Sequence, residues 1–159
     1  AQPEAARVEL VRRYLGAFGP ATRADVSEWS GLRVRDLEPA LGALEPLARF
    51  RDERGRELLD LPRAPRPSAD TPAPVRLMPR FDNLILSHKD RNRVLADEHR
   101  GLVIDGGWVK STFLVGGFVA GTWEVEDGRI RLEPFTPLSR TATRDLKQEA
   151  ASLEAWLAA

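Results

Sequence analysis

The sequence predicts an α+β fold: a helical unit ending in a hairpin, then a β-rich antiparallel unit with a C-terminal helix. Three observations predict it. Apolar residues recur at three- and four-residue spacing through the first forty residues. Five prolines (Pro62, Pro65, Pro67, Pro72, Pro74) crowd the stretch that follows. Beyond residue 100, period-two alternation is punctuated by Gly-Gly and Asp-Gly pairs, the turn signals of hairpins.

From Glu4 to Phe18, Val8, Val11, Tyr14, Leu15 and Phe18 share one helical face, and Gly19-Pro20 ends the run. Thr22-Arg23-Ala24-Asp25 has the form of a capping box, with Thr22 as N-cap and Asp25 near N3. The short helix it opens runs through Trp29 and buries Val26 and Trp29. Ser30-Gly31 makes a tight turn. A third helix is expected from Val34 to Leu44 with Leu37, Leu41 and Leu44 inward, and Pro39 is placed within its first turn. LARFRD and ELLDL then read as two short strands around the turn Glu53–Arg56.

Helix, helix, turn, helix, hairpin is the order of a winged helix, assigned to residues 1–61. A generic three-helix piece with a hairpin is the alternative. In a winged helix the third helix enters the major groove and the wing touches phosphate or the minor groove. The candidate contacts are Arg33 and Arg35 at the helix start, and Arg51, Arg54 and Arg56 on the wing. Asp36, Glu38 and Glu45 on the helix, and Asp52, Glu53 and Glu57 on the wing, oppose that reading.

Residues 62–74 form a stiff, extended connector, because proline fixes φ and removes N–H donors. The second unit, 75–159, opens with VRLMPRF, an edge strand or a strand ending in a turn by virtue of its proline. GLVID and GWVKSTFLV are expected as strands. Gly116-Gly117 turns into FVAGTWEVE, and Asp127-Gly128 into RIRLEPF. Consecutive hairpins imply an antiparallel meander or a small barrel. A helix from Thr141 to Leu157 carries Leu146, Leu153, Trp156 and Leu157 on one stripe, expected to pack on the sheet.

Lys+Arg and Asp+Glu balance at 24 each, so any case for nucleic acid is local rather than global. There is no cysteine, which excludes disulfides and thiolate metal sites and suits a reducing cytoplasm. No apolar run is long enough to span a bilayer. The chain opens Ala-Gln-Pro-Glu without methionine, as expected of a processed product or a piece of a longer protein.

The segment Ser87-His88-Lys89-Asp90-Arg91-Asn92-Arg93 concentrates the chemistry. It holds one of the two histidines. Ser87, His88 and Asp90 spell a hydrolase triad in miniature, but side chains from one short stretch cannot converge as a triad must. His88 with Asp90, and His99 with Asp97 and Glu98, lack the spacing of a metal motif, so neither a metal nor a cofactor is expected. Two readings stay open. In one, Phe81, Leu84 and Leu86 are core, Ser87 or Asp90 caps a helix, and Arg91 and Arg93 are solvated or paired. In the other, Lys89, Arg91 and Arg93 face a phosphate backbone while His88 and Asn92 supply neutral hydrogen bonds. Six basic residues (Arg76, Arg80, Lys89, Arg91, Arg93, Arg100) against four acids (Asp82, Asp90, Asp97, Glu98) give the second modest support.

PRFDNLILSHKDRNRVL, then HRG, then WVKSTFLVGGFVAGTWE resembles the bacterial winged-helix DNA-binding family that includes the AlkZ-like DNA glycosylases. The likeness covers both units and is most specific over residues 79–124. It implies tandem winged helices followed by a β-barrel, and excision of alkylated or crosslinked bases from double-stranded DNA. It also implies DNA contact from residues 81–93 and from the hairpin at 113–123. The family's catalytic element is a Gln-x-Gln or Gln-x-Asp motif, whereas the glutamines here, Gln2 and Gln148, lie in no such motif. The expectation is therefore a DNA-binding C-terminal portion with no catalytic residue of its own, located in the cytoplasm at the nucleoid. The alternatives are a protein-interaction scaffold and a transcriptional regulator with a β sensor domain.

Overall fold

A computed structural model describes residues 3–158. The fold is α+β, with six helices and antiparallel sheets among the described residues. They sort into two compact units. One runs up to Ser68 and includes Leu86–Asp90; the other takes Ala69–Ile85 and everything from Arg91.

The first unit begins with α1 (Pro3–Phe18), α2 (Arg23–Ser30) and α3 (Val34–Ala43). The capping box at the head of α2 is complete: Thr22 Oγ1 accepts from Asp25 N, and the Asp25 carboxylate accepts from Thr22 N. Gly31 ends α2 in the left-handed region at φ 71°, and its N–H reaches Ser27 O. Pro39 is the sixth residue of α3, beyond the first turn where it was expected, and the helix continues through it. The Arg35 carbonyl is thereby left without its i+4 donor.

The hairpin pairs β1 (Ala48–Arg51) with β2 (Glu57–Asp60), Arg51 opposite Glu57. Ala21 adds a single bridge to Leu59 on the far side of β2. Val11, Tyr14, Leu15, Val26, Leu37, Leu41 and Leu59 make the core, with Val8, Phe18, Trp29 and Leu44 packed at its margin. Tyr14, Phe18 and Trp29 meet as tilted rings 5.2–5.9 Å apart. From Leu61 to Val75 the chain forms neither helix nor strand.

In the second unit a four-stranded antiparallel sheet has the order β3 (Arg76–Met78), β6 (Thr112–Val115), β7 (Phe118–Glu126), β8 (Arg129–Pro134). It is an open meander with β3 and β8 as edges, and no barrel closes among the described residues. The tight turns are Gly116-Gly117 and Asp127-Gly128, each with positive φ at both residues. A bulge between Phe113 and Leu114 shifts the register of β6 against β7.

Two strand expectations are corrected. Arg100–Val103 is a helical turn, α5, leaving only β4 (Ile104–Asp105) to pair with β5 (Trp108–Val109). So short an apolar run fits a buried turn of helix as well as a strand, and periodicity alone cannot separate them. GWVKSTFLV is likewise not one strand: it breaks at Lys110-Ser111 between β5 and β6. The last helix, α6 (Arg140–Leu157), is capped by Ser139 and buries Ala142, Leu146 and Ala150. Trp156 and Leu157, expected on that buried stripe, are exposed.

Candidate nucleic-acid interface

The site is built on Asp25. Its carboxylate is nearly buried, yet both oxygens are bonded. Oδ2 accepts from Thr22 N (2.8 Å) and Thr22 Oγ1 (2.7 Å), and Oδ1 accepts from the backbone N–H of Lys89 at 2.9 Å. A buried carboxylate saturated by such donors is a stable anchor. Here it ties the head of α2 to the Leu86–Asp90 segment.

The rest of that segment is held as firmly. Tyr14 Oη donates to the Ser87 carbonyl at 2.6 Å in a buried contact. His88 Nε2 lies 3.0 Å from the Phe18 carbonyl, which can only accept, so Nε2 carries a proton. In the neutral ring Nδ1 then accepts from Ser87 Oγ at 2.9 Å. In the other unit, Asp82 Oδ1 accepts from Leu84 N at 2.8 Å at the head of α4 (Asn83–Leu86). Phe81, expected in the core, is exposed at φ 58°, and Ile85 is the buried residue of the stretch.

The Asp90 carboxylate draws in the hairpin arginines. Arg54 Nη1 is 3.1 Å away and Arg56 Nη2 2.8 Å. Asp52 shapes the turn: Oδ1 accepts from the N–H groups of Arg54 and Arg56, and Oδ2 pairs with Arg56 Nε at 2.6 Å. Arg23, at the first position of α2, pairs with Glu38 and Glu57. Together they border a cleft of about 500 Å³ lined by Arg23, Arg54, Arg56 and Lys89, with Asp25, Glu57 and Asp90 as its carboxylates.

The predicted candidates thus divide. Arg54, Arg56 and Lys89 share the cleft, and His88 sits half-buried behind it. Arg33 and Arg35 face Asp36 on their own helix, and Arg51 donates to Gly55 O. Arg91, Asn92 and Arg93 belong to the second unit, on a 3₁₀ turn. Arg91 Nε donates to Ile85 O, Asn92 is clamped both ways to Asp97, and Arg93 is exposed. Sequence reasoning missed Arg23, and it weighed Asp90 as a triad member, metal ligand or cap rather than as the partner of the hairpin arginines. The spacing between Asp90 and the hairpin, 36 residues for Arg54, carries no local signal. Among the described residues no three His, Asp or Glu side chains are grouped to hold a metal ion.

The fold defines an α+β protein whose helical unit carries an arginine-bordered cleft. The chain belongs to the AlkZ-like DNA glycosylase family, whose model matches residues 1–156. It is similar to an interstrand DNA cross-link repair glycosylase of Streptomyces sahachiroi, with 30% identity over 158 residues, 94% of this chain and 42% of that protein. It is also similar to the solved structure of the Streptomyces sahachiroi DNA glycosylase AlkZ, at 29% identity and a TM-score of 0.79, covering 95% of this chain and 43% of that one. The chain thus spans less than half the length of these relatives.

Proposed function

We propose that this chain is the DNA-gripping portion of a repair glycosylase, and that base release depends on residues it does not contain. The observation that carries this reading is the cleft in which Arg54, Arg56 and Lys89 gather around the head of α2. Phosphate oxygens accept from these donors, and such contacts fix position on the duplex without reading sequence. Asp90 holds the two guanidiniums in place beforehand, so less side-chain freedom is lost on binding.

In this reading residues up to 61 work as a winged helix whose hairpin, rather than its third helix, meets the backbone. That choice is supported by the cleft itself, which Arg54 and Arg56 line together with Lys89, whereas Arg33 and Arg35 are not among its lining residues. His88 positions Lys89 rather than meeting DNA, while Arg91 and Arg93 add phosphate contacts from the second unit. An enzyme acting on a base must take it out of the stack, and a firm hold on the flanking backbone makes that possible. The setting is the cytoplasm, on double-stranded and damaged DNA.

The test is to incubate the chain with intact and alkylated duplex, following binding and base release together. Binding without release is expected. Release by this chain alone would contradict the division of labour.

A further inference from the structure

The second unit carries a surface that the phosphate grip does not use. Trp108, the first residue of β5, is half exposed, and Phe81 beside it is 43% exposed. The two rings meet edge to face at 5.1 Å. Arg80 lays its guanidinium over the Trp108 ring at 5.3 Å from the centroid. Among the described residues Arg80 has no carboxylate ion pair, unlike Arg54 and Arg56. A cleft of about 170 Å³ opens between Arg80, Trp108, Lys110 and Trp123. Trp123 is fixed there by its Nε1–H bond to the Met78 carbonyl. Glu124 and Glu133 also border it and share the Arg131 guanidinium with Glu126, so their charge is offset only in part.

Large apolar rings are seldom left at the surface as a contiguous group without a partner. Phe81 is also held at φ 58°, a conformation that costs a bulky residue energy and that native structures keep where it serves something. Flat aromatic faces flanked by cations are what stacks an unpaired base while holding its phosphate. We propose that Trp108, braced by Phe81 and Arg80, is a stacking platform for an unpaired or extrahelical base, with Arg80 and Lys110 contacting the adjoining phosphate. This rests on the reading that the chain binds DNA.

The test uses two duplexes of equal length, one fully paired and one with a single bulged 2-aminopurine nucleotide. Anisotropy gives affinity, and the 2-aminopurine emission reports stacking. Binding should quench that emission, and Trp108→Ala should abolish the quenching. The substitution should weaken the bulged duplex roughly 5- to 100-fold and leave the paired one within about twofold. Trp108→Phe should retain most of the discrimination, and Trp156→Ala, at another exposed indole, should change nothing. Unaltered thermal unfolding of the variants keeps a folding defect out of the comparison. Equal affinity of wild type for both duplexes, or quenching that survives Trp108→Ala, would overturn the platform while leaving the phosphate grip standing. Tight binding of a proline-rich peptide to Trp108 in place of the bulged duplex would overturn it as well. Failure to bind either duplex would overturn the DNA reading itself.

Discussion

The backbone N–H of Lys89 donates to the buried carboxylate of Asp25, a residue 64 positions earlier, at 2.9 Å. One side chain thereby closes the capping box of α2 and fixes the segment that carries Lys89 and Asp90. Asp25→Ala removes both, leaving two N–H groups and a hydroxyl without their acceptor. The expected cost is about 2–3 kcal/mol, the sum of a lost cap and a lost buried bond. Asp25→Asn keeps an acceptor for Lys89 and should cost less. Urea unfolding checks both, and equal stability of wild type and Asp25→Ala would refute the anchoring role.

Tyr14→Phe tests the same segment from the other side. It deletes the hydroxyl that donates to the Ser87 carbonyl and strands a buried acceptor, a loss of about 1–2 kcal/mol. The aromatic packing with Phe18 and Trp29 is kept. A near-neutral result would mean that water replaces the tyrosine and that the segment is looser than drawn.

Two glycines should respond with opposite signs. A Cβ on Gly121 would sit 2.3 Å from a Phe113 ring carbon and 2.4 Å from the Glu133 carbonyl oxygen, so neither the core ring nor the β8 backbone has room. Gly121→Ala should destabilise the second unit by about 1–3 kcal/mol, as overpacking does. Gly42, exposed within α3, has nothing within 4 Å of the added atom, and Gly42→Ala should stabilise by about 0.5–1 kcal/mol. Melting temperatures of the two variants should move in opposite directions.

Acid stability follows from the carboxylates of the first unit. Hydrogen bonds from Arg12, then Arg13, hold Glu9 down from 4.5 to about 2. Glu57 is likewise lowered, by Arg23 first and Arg49 next. A depressed folded-state pKa stabilises above the unfolded value and is lost as pH falls through the folded one. Stability attributable to these groups should therefore hold from neutrality to about pH 5 and decline from there toward pH 2. Glu9→Gln and Glu57→Gln should each flatten that decline, measured by thermal unfolding across the pH range. Both groups are solvent-exposed, so added salt should shrink the effect.

Local patterns were legible in the sequence, and long-range ones were not. The face Val8, Val11, Tyr14, Leu15, Phe18 and the capping box Thr22–Asp25 are set by neighbours within one or two turns, so spacing finds them. The strand Phe118–Glu126 and its two tight turns were equally visible. What failed has a common cause. The GLVID stretch, too short for its period to decide, formed a helical turn at Arg100–Val103. Phe81 looked like core because it is apolar, but the turn at φ 58° delivers it to Trp108 at the surface. The role of Asp90 depends on Arg54 and Arg56, which only the tertiary fold brings within reach. His88 drew attention as a rare chemical group, and its hydrogen bonds show where its ring nitrogens are spent.

The most direct test of the DNA grip is the salt dependence of duplex affinity for wild type and for Arg54→Ala/Arg56→Ala. Each phosphate contact adds about 0.9 to the slope of log affinity against log salt, so losing both should reduce it by roughly 1.8. Affinity should fall on every duplex sequence alike, because the contacts are to phosphate. An unchanged slope, with the double variant binding as tightly as wild type at low salt, would contradict the account.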